Sequence, residues 1–320
     1  MNPLRRDFLK QSSFLTGSLF LYKPFRAFES LSKNSQQLNR LLNQVTIIHT
    51  NDLHNNIDAL TTGKKNGYGG LKNIENCLGP VSLSALLLDG GDFLDESLSL
   101  AEHKKMISYM NHLGYRAATL GNRELSKGQD YLAALLPFMK FSIVNCNYSF
   151  THPHLMNQIH SYSIIRSGKY RIGLTGVGVN PDQSKEKTGI TWHHPYDKAS
   201  SIATYLKNQK NCDLVICLSH LGHLQTGGLP HNVEFAKASE QIDLIIGGHD
   251  NIILPNLLSL KNNKKEEVMV SQGGQGGILL RQINFTFNNL HQKSRVAYRN
   301  YIPGSKSGSS AFTEIKEITT

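Results

Sequence analysis

The chain has 320 residues, 39% of them hydrophobic, which is enough for one large domain or two small ones around a sizeable core. Its formal charge of +10 is uneven: residues 1–26 carry five basic groups against the single acid Asp7, and the remainder is mildly basic with a cluster at Lys261, Lys264 and Lys265. There is no basic stripe with interleaved aromatics, which argues against a nucleic-acid partner, while the positive balance suits attraction of an anionic small substrate. Cys77, Cys146, Cys212 and Cys217 are scattered and form no CxxC, so buried free thiols are expected rather than a disulfide framework. Cys212 and Cys217 fall in one expected strand at an odd separation, which points them to opposite faces.

At the N-terminus, Arg5 and Arg6 precede Phe8-Leu9-Lys10 and a modest apolar stretch from Phe14 to Tyr22. The stretch is too short and too polar to span a membrane. Its pattern is that of a twin-arginine export signal, carried by proteins exported already folded. Residues 1–26 are therefore expected to be a signal peptide directing the protein to the periplasm, either cleaved near Ala27 or retained as a membrane anchor. Residues 27–43 read as a linker, and residues 44–302 as the folded domain.

From Val45 the chain alternates. Apolar, β-rich runs appear at "VTIIHT", "SALLLDG", "AATLG", "FSIVNCN", "YRIGLTGVG", "CDLVICLSH" and "IDLIIGGHD". Between them, "GGLKNIENCL", "LSLAEHKKMISYMNHLG", "DYLAALLPFM" and Tyr196–Gln209 place apolar residues at helical spacing. The last third, with "VMVSQGG", "ILLRQINFTF" and "RVAYRNY", is strand-rich. The alternation predicts an α/β domain with helices covering the sheet faces, and the strand-rich end predicts a second, mixed sheet packed on the first. "GGQGG" at Gly273–Gly277 lacks the Lys-Ser/Thr of a phosphate loop, so it reads as a turn where backbones pass closely. Residues 303–320 read as a flexible tail.

Ligands of α/β sheets bind beyond the carboxyl ends of the strands. Five strand ends here finish alike, with an apolar run, a small residue and then an oxygen or imidazole donor. "HTNDLHNN" offers Asp52 and His54, "LLLDGGDFLDE" Asp92, "AATLGNRE" Asn122, "CLSHLGH" His220 with His223 behind, and "IIGGHDN" His249, Asp250 and Asn251. One such end is commonly a turn former. Five together supply carboxylates, imidazoles and amides that suit hard or borderline divalent ions, in a number beyond the needs of one tetrahedral ion. An aspartate shared by two sets would bridge two ions about 3.5–4 Å apart.

This ordered series (D-x-H, G-D, G-N-x-E, S-H, G-G-H) resembles the signature of the calcineurin-like metallophosphoesterases. "HTNDLHNNID" and "LLLDGGDFLD" bring it nearest the bacterial 5′-nucleotidase branch, over about Val45 to Phe287. The resemblance implies a four-layer α/β/β/α sandwich of two mixed sheets flanked by helices. It also implies two divalent ions (Zn, Mn or Fe): one held by Asp52, His54, Asp92 and Asn251, the other by Asp92, Asn122, His220 and His249. The family has His or Gln where this chain has Asn251, which offers an amide oxygen on a shorter arm. The implied function is an exported two-metal hydrolase of phosphate esters or nucleotides, with a metal-activated water as nucleophile and a small phosphorylated substrate.

Two departures stand out. The family pattern G-N-H-E carries a histidine that assists the leaving oxygen and an Asp that orients it. This chain has Arg123 and Ser126 at those places. Arginine keeps its proton and cannot be a general acid, but its fork can contact a phosphoryl group. Loss of the acid costs roughly 10²–10⁴-fold, most for poor leaving groups; His223 and Glu124 are the substitutes at hand. The exported 5′-nucleotidases also carry a C-terminal domain that stacks on the base, and here a separate chain is expected to supply it if the substrate is a nucleotide. Two further readings stay open: a thiosulfohydrolase of the related sulfur-oxidising branch, which acts on a partner protein's carrier cysteine, and a metal-binding pseudoenzyme.

Overall fold

The computed structural model describes residues 43–61, 63–78, 84–181, 189–305 and 313–315. The chain divides between Asn43 and Gln44. The expected signal segment 1–26 and, apart from Asn43, the expected linker 27–43 lie outside the described residues.

The first half contains β1 (Gln44–Thr50), α1 (Leu71–Leu78), β2 (Leu86–Asp89), α2 (Leu100–Leu113), β3 (Tyr115–Ala118), α3 (Asn122–Leu125), α4 (Gln129–Leu135), β4 (Ser142–Ile143), β5 (Tyr148–Ser149) and α5 (Pro153–Gln158). The second half contains β6 (Tyr162–Ser167), β7 (Tyr170–Gly178), β8 (Thr191–Trp192), α6 (Pro195–Asn208), β9 (Leu214–His220), α7 (Asn232–Ala238), β10 (Leu244–Gly247), β11 (Leu258–Lys261), β12 (Glu267–Ser271), β13 (Leu280–Phe287), β14 (Lys293–Tyr301) and β15 (Thr313–Ile315). One sheet runs β15-β14-β13-β1-β2-β3-β4, the other β11-β12-β10-β9-β7-β6. Both are mixed: β1, β2, β3 and β4 are parallel and β13 antiparallel to β1, while β7, β9, β10 and β12 are parallel and β6 and β11 antiparallel.

The central strands β2, β7, β9 and β10 are mainly apolar and buried because both faces of each sheet are covered there, and the alternation of side chains sorts them into layers. In β9, Leu214, Ile216 and Leu218 enter the core between the sheets, while Val215 and Cys217 face the layer that holds Ala199, Ala203 and Leu206 of α6 and Phe235 of α7. In β1, Val45 and Ile47 join the inter-sheet core, and Ile48 turns to the side of α1 and α2 with Ile74, Met106 and Met110. Three buried layers between four structural ones make the α/β/β/α sandwich.

Local signals explain most element ends. Ser99 caps α2 and exchanges hydrogen bonds with Glu102 in a capping box, and Gly114 closes that helix at φ 81°. The strand expected over "FSIVNCN" stops at Ile143, because the Asn145 side chain accepts from the Asn147 and Tyr148 N–H groups (3.0 and 2.9 Å) and turns the chain. β6 and β11 are not among the expected strands; β6 folds back on β7 through Gly168-Lys169, with Gly168 at φ 59°. Thr313–Ile315, inside the segment expected to be a flexible tail, pairs with β14. Cys212 precedes β9 and packs in the same layer as Cys217, so the opposite-face expectation fails; all four cysteines are free, and Cys77 and Cys146 are only half-buried.

Buried Asp243 ties the far end of the second sheet. Its carboxylate accepts from the Val215 N–H at 2.7 Å and pairs with Lys207 at 2.8 Å and with Lys293. Burial opposes its ionisation, but Lys207 and Lys293 outweigh this and hold it below the usual carboxylate range. Its contribution is therefore complete above about pH 4 and is lost as pH falls through the lowered folded value. Asp243→Asn is expected to cost about 3 kcal/mol at pH 7. Urea unfolding should show this loss shrinking toward pH 3, and an equal loss at both pH values would refute the ion-pair account.

Candidate metal centre

The loops leaving β1, β2 and β3 meet those leaving β9 and β10. Asp52, Asp92 and His220 offer ligand atoms all within 4.8 Å of one another, and all three residues are buried. His220 Nε2 lies 3.2 Å from Asp92 Oδ2 and 3.9 Å from Asp52 Oδ1; His54 Nε2 lies 3.7 Å from Asp52 Oδ1 and 3.9 Å from Asp92 Oδ2. Both Nε2 atoms are cut off from solvent and neither is aligned for a hydrogen bond. His220 Nδ1–H donates to the Gly90 carbonyl at 2.9 Å, a bond that fixes the ring so that Nε2 faces the carboxylates. His249 Nδ1 and Asn122 Oδ1 converge at 3.1 Å, roughly the spacing of two adjacent donors on one first-row ion. The His249 N–H also donates to both Asp52 oxygens at 3.1 Å.

These residues fit divalent metal. Buried carboxylates draw positive charge, and buried imidazole nitrogens without a hydrogen bond await a partner. Burial alone would lower the His220 pKa, but Asp92, Asp52 and the Gly90 carbonyl raise it to about 10. Asn251 is exposed, and among the described residues its side chain makes no hydrogen bond to the cluster. Asp250 is already engaged, accepting from the His223 N–H at 2.6 Å and from the Gln272 amide.

The backbone is bent to present the donors. Asp52, His54, Asp92, His249 and Asn251 all have left-handed φ, at 51°, 46°, 55°, 96° and 57°. Asp, Asn and His tolerate this region better than most residues, yet each instance costs roughly 1 kcal/mol or more and survives only where the surroundings enforce it. The enforcing groups are identifiable. Glu124 is buried and accepts from the N–H groups of Asp92, Gly121 and Leu94 at 3.0, 2.8 and 2.9 Å. Both its oxygens thereby brace the turns around Asp92 and Gly121, and burial with the neighbouring Asp92 pushes its pKa up to about 8. Asn51, not among the expected site residues, donates to Asp52 Oδ2 at 2.7 Å and to the Gly274 carbonyl at 3.0 Å and accepts from the Gly273 N–H at 2.7 Å. Gly276 N–H donates to the Asp52 carbonyl at 2.7 Å. "GGQGG" is thus the close backbone passage expected, and it braces the Asp52 turn. Gly121 has ordinary backbone angles, but a Cβ there would lie 2.0 Å from Asp92 Oδ1 and 2.7 Å from His220 Nε2. The strand before Asn122 ends in glycine because the cluster leaves no room for a side chain.

Arg123 stands at the edge, partly exposed. Its N–H donates to Asp92 Oδ1 at 2.9 Å, its Nε is 3.4 Å from Asp92 Oδ2, and Nη1 reaches Asp95 at 3.6 Å and Glu96 more closely. Ser126 does not touch the guanidinium; its hydroxyl donates to the Arg123 carbonyl. The orienting partners come instead from the β2 loop. His223 is half-buried, with Nδ1 unpaired and a pKa lowered by burial, and it lies outside the cluster.

Comparison with known proteins adds four likenesses. The model of the calcineurin-like phosphoesterase family matches residues 45–252. A snake venom 5′-nucleotidase from Naja atra is 29% identical over 230 residues, covering 66% of this chain and 42% of the relative. The chain thus spans less than half the length of that relative. The crystal structure of a 5′-nucleotidase precursor from Thermus thermophilus superposes with a TM-score of 0.71 at 22% identity, covering 81% of this chain and 54% of the other. A sulfate thiohydrolase from the same organism superposes with a TM-score of 0.62 at 17% identity, covering 81% and 56%; both structures share the fold.

Gly121→Ala is expected to weaken Mn or Zn binding at least about tenfold while leaving the circular dichroism unchanged. Calorimetric titration measures this, and wild-type affinity would contradict the steric argument. Metal should also raise the melting temperature of stripped protein, because it offsets the carboxylate repulsion and the bent turns.

Proposed function

This chain belongs to the calcineurin-like phosphoesterase family, and on that premise we propose that it is a metal-dependent hydrolase of phosphate esters or nucleotides. The convergence of Asp52, Asp92 and His220 with two unpaired imidazole nitrogens carries the reading. Asp52, His54, Asp92 and Asn251 would hold one ion, and Asp92, Asn122, His220 and His249 a second. When bound, such ions supply a water activated for attack and charge to screen phosphoryl oxygens. The chain's own residues do the rest. Asn51 and Glu124 hold the Asp52 and Asp92 turns in place, and the Gly90 carbonyl orients His220. Arg123 adds a fixed positive charge beside Asp92 and donates no proton to a leaving oxygen. Substrates whose leaving group departs without a proton are therefore favoured. The paired arginines Arg5 and Arg6 support export by the twin-arginine route. A nucleotide substrate would call for base contacts from a further domain or chain.

The test is hydrolysis of p-nitrophenyl phosphate, ADP and AMP by the Mn- or Zn-supplied protein, beside its metal content. Turnover of the first two and little of AMP is expected. Two bound ions with no turnover would make the chain a metal-binding scaffold, and metal-free folded protein would overturn the reading. Asp92→Ala should lose both ions and Asn251→Ala only one; equal losses would refute a bridging Asp92. Arg123→His with Ser126→Asp is expected to raise AMP hydrolysis by up to about 10²-fold.

A further inference from the structure

A cavity of about 300 Å³ opens beside the metal centre, walled by Val179, Trp192, His194, Leu229, Pro230 and His249. Its volume is at the small end of ligand sites. His249 belongs to both places: its N–H donates to Asp52, its Nδ1 meets Asn122, and it forms one wall of the cavity. The cavity's character differs from that of the metal cluster. Among the described residues no Lys, Arg, Asp or Glu lines it, and the remaining polar lining is the amides of Asn180 and Gln225.

The aromatic wall is held from behind. Trp192 Nε1 donates to the Gly178 carbonyl at 3.1 Å, and β8 is paired to β5 at Tyr148. His194 meets Tyr196 edge-on, with ring centroids 4.8 Å apart, and Tyr196 stacks on buried Phe235 at 5.2 Å. Leu229, 38% exposed on the loop before α7, adds an apolar side chain to the lining. A second phosphate would find no cation among the described residues of these walls, and a polyol would leave the aromatic faces unused. A flat, uncharged ring satisfies them.

We propose that this cavity receives the aromatic ring of a phosphoester substrate, on the leaving-group side of the phosphoryl position. The proposal rests on the phosphoesterase reading above. It fits Arg123, since an aryl oxide departs without a proton donor. The ring can belong to an aryl ester or to the base of a nucleoside phosphate, and the two are separable.

Trp192 is the only tryptophan in the chain, so its fluorescence reports on the cavity without turnover. The full, metal-loaded protein would be titrated with phenyl phosphate, AMP and, as an aliphatic control, glycerol 2-phosphate, and hydrolysis of each measured alongside. Saturable quenching by phenyl phosphate, AMP or both, and none by glycerol 2-phosphate, is expected; which of them quenches assigns the source of the ring. Leu229→Glu, at an exposed position that should not disturb folding, is expected to weaken this quenching about tenfold and to lower the phenyl-to-glycerol ratio of kcat/KM to match. Hydrolysis with no quenching by either aromatic probe would overturn the cavity assignment and leave the phosphoesterase reading standing. Quenching with no hydrolysis of any ester would do the reverse.

Discussion

Two buried carboxylates held close together, Asp52 and Asp92, set the terms for the rest of the molecule. Like charges out of water repel, and among the described residues no lysine pairs with either. The basic side chains beside them are the imidazoles of His54, on Asp52's own loop, and His220, from the end of β9, with the guanidinium of Arg123 next to Asp92. Such a site persists only when the chain around it is over-determined, and that is what the loops show. Five left-handed residues in three loops, a buried Glu124 bound to three N–H groups and an Asn51 clamped by the "GGQGG" turn all gather around the same two side chains. The sandwich makes this possible. Its inter-sheet core aligns the ends of β1, β2 and β3 with those of β9 and β10, so residues from both sheets reach one point.

The replacement at Arg123 reads differently once its surroundings are known. Its guanidinium is turned toward Asp92, Asp95 and Glu96, so its charge is partly spent within the protein. That arrangement stabilises the charge pattern at the edge of the cluster. It is a poor place from which to hand over a proton, and the family's proton-delivering pair has no counterpart here in Arg123 and Ser126. On the proposed reading, a catalyst of this design would be limited by what leaves, which would link Arg123 to the aromatic wall of the cavity beside His249.

The sandwich and the cluster also divide the work of stability. The three apolar layers hold the sheets, and Asp243 with its two lysines closes the end remote from the metal centre. The strained turns sit at the opposite end, where regular strand pairing has stopped.

Much was legible in the sequence because it was local. Apolar runs ended by a small residue and a donor marked the strand ends, and Asp52, Asp92 and His220 do meet as their motifs implied. The four-layer arrangement followed from the same motifs through family resemblance, since periodicity alone indicated only two packed sheets. What the sequence withheld was set by contacts between distant segments. Asn51 gains its role from a turn 222 residues away, and Glu124 from the β2 loop. Gly121 is glycine because Asp92 and His220 arrive from elsewhere, and Arg123 finds Asp95 and Glu96 rather than Ser126. Motif spacing names the donors because donor chemistry belongs to the residue. Tertiary structure alone decides which atoms face one another, because a side chain's partners are chosen by where the sheets bring the chain back.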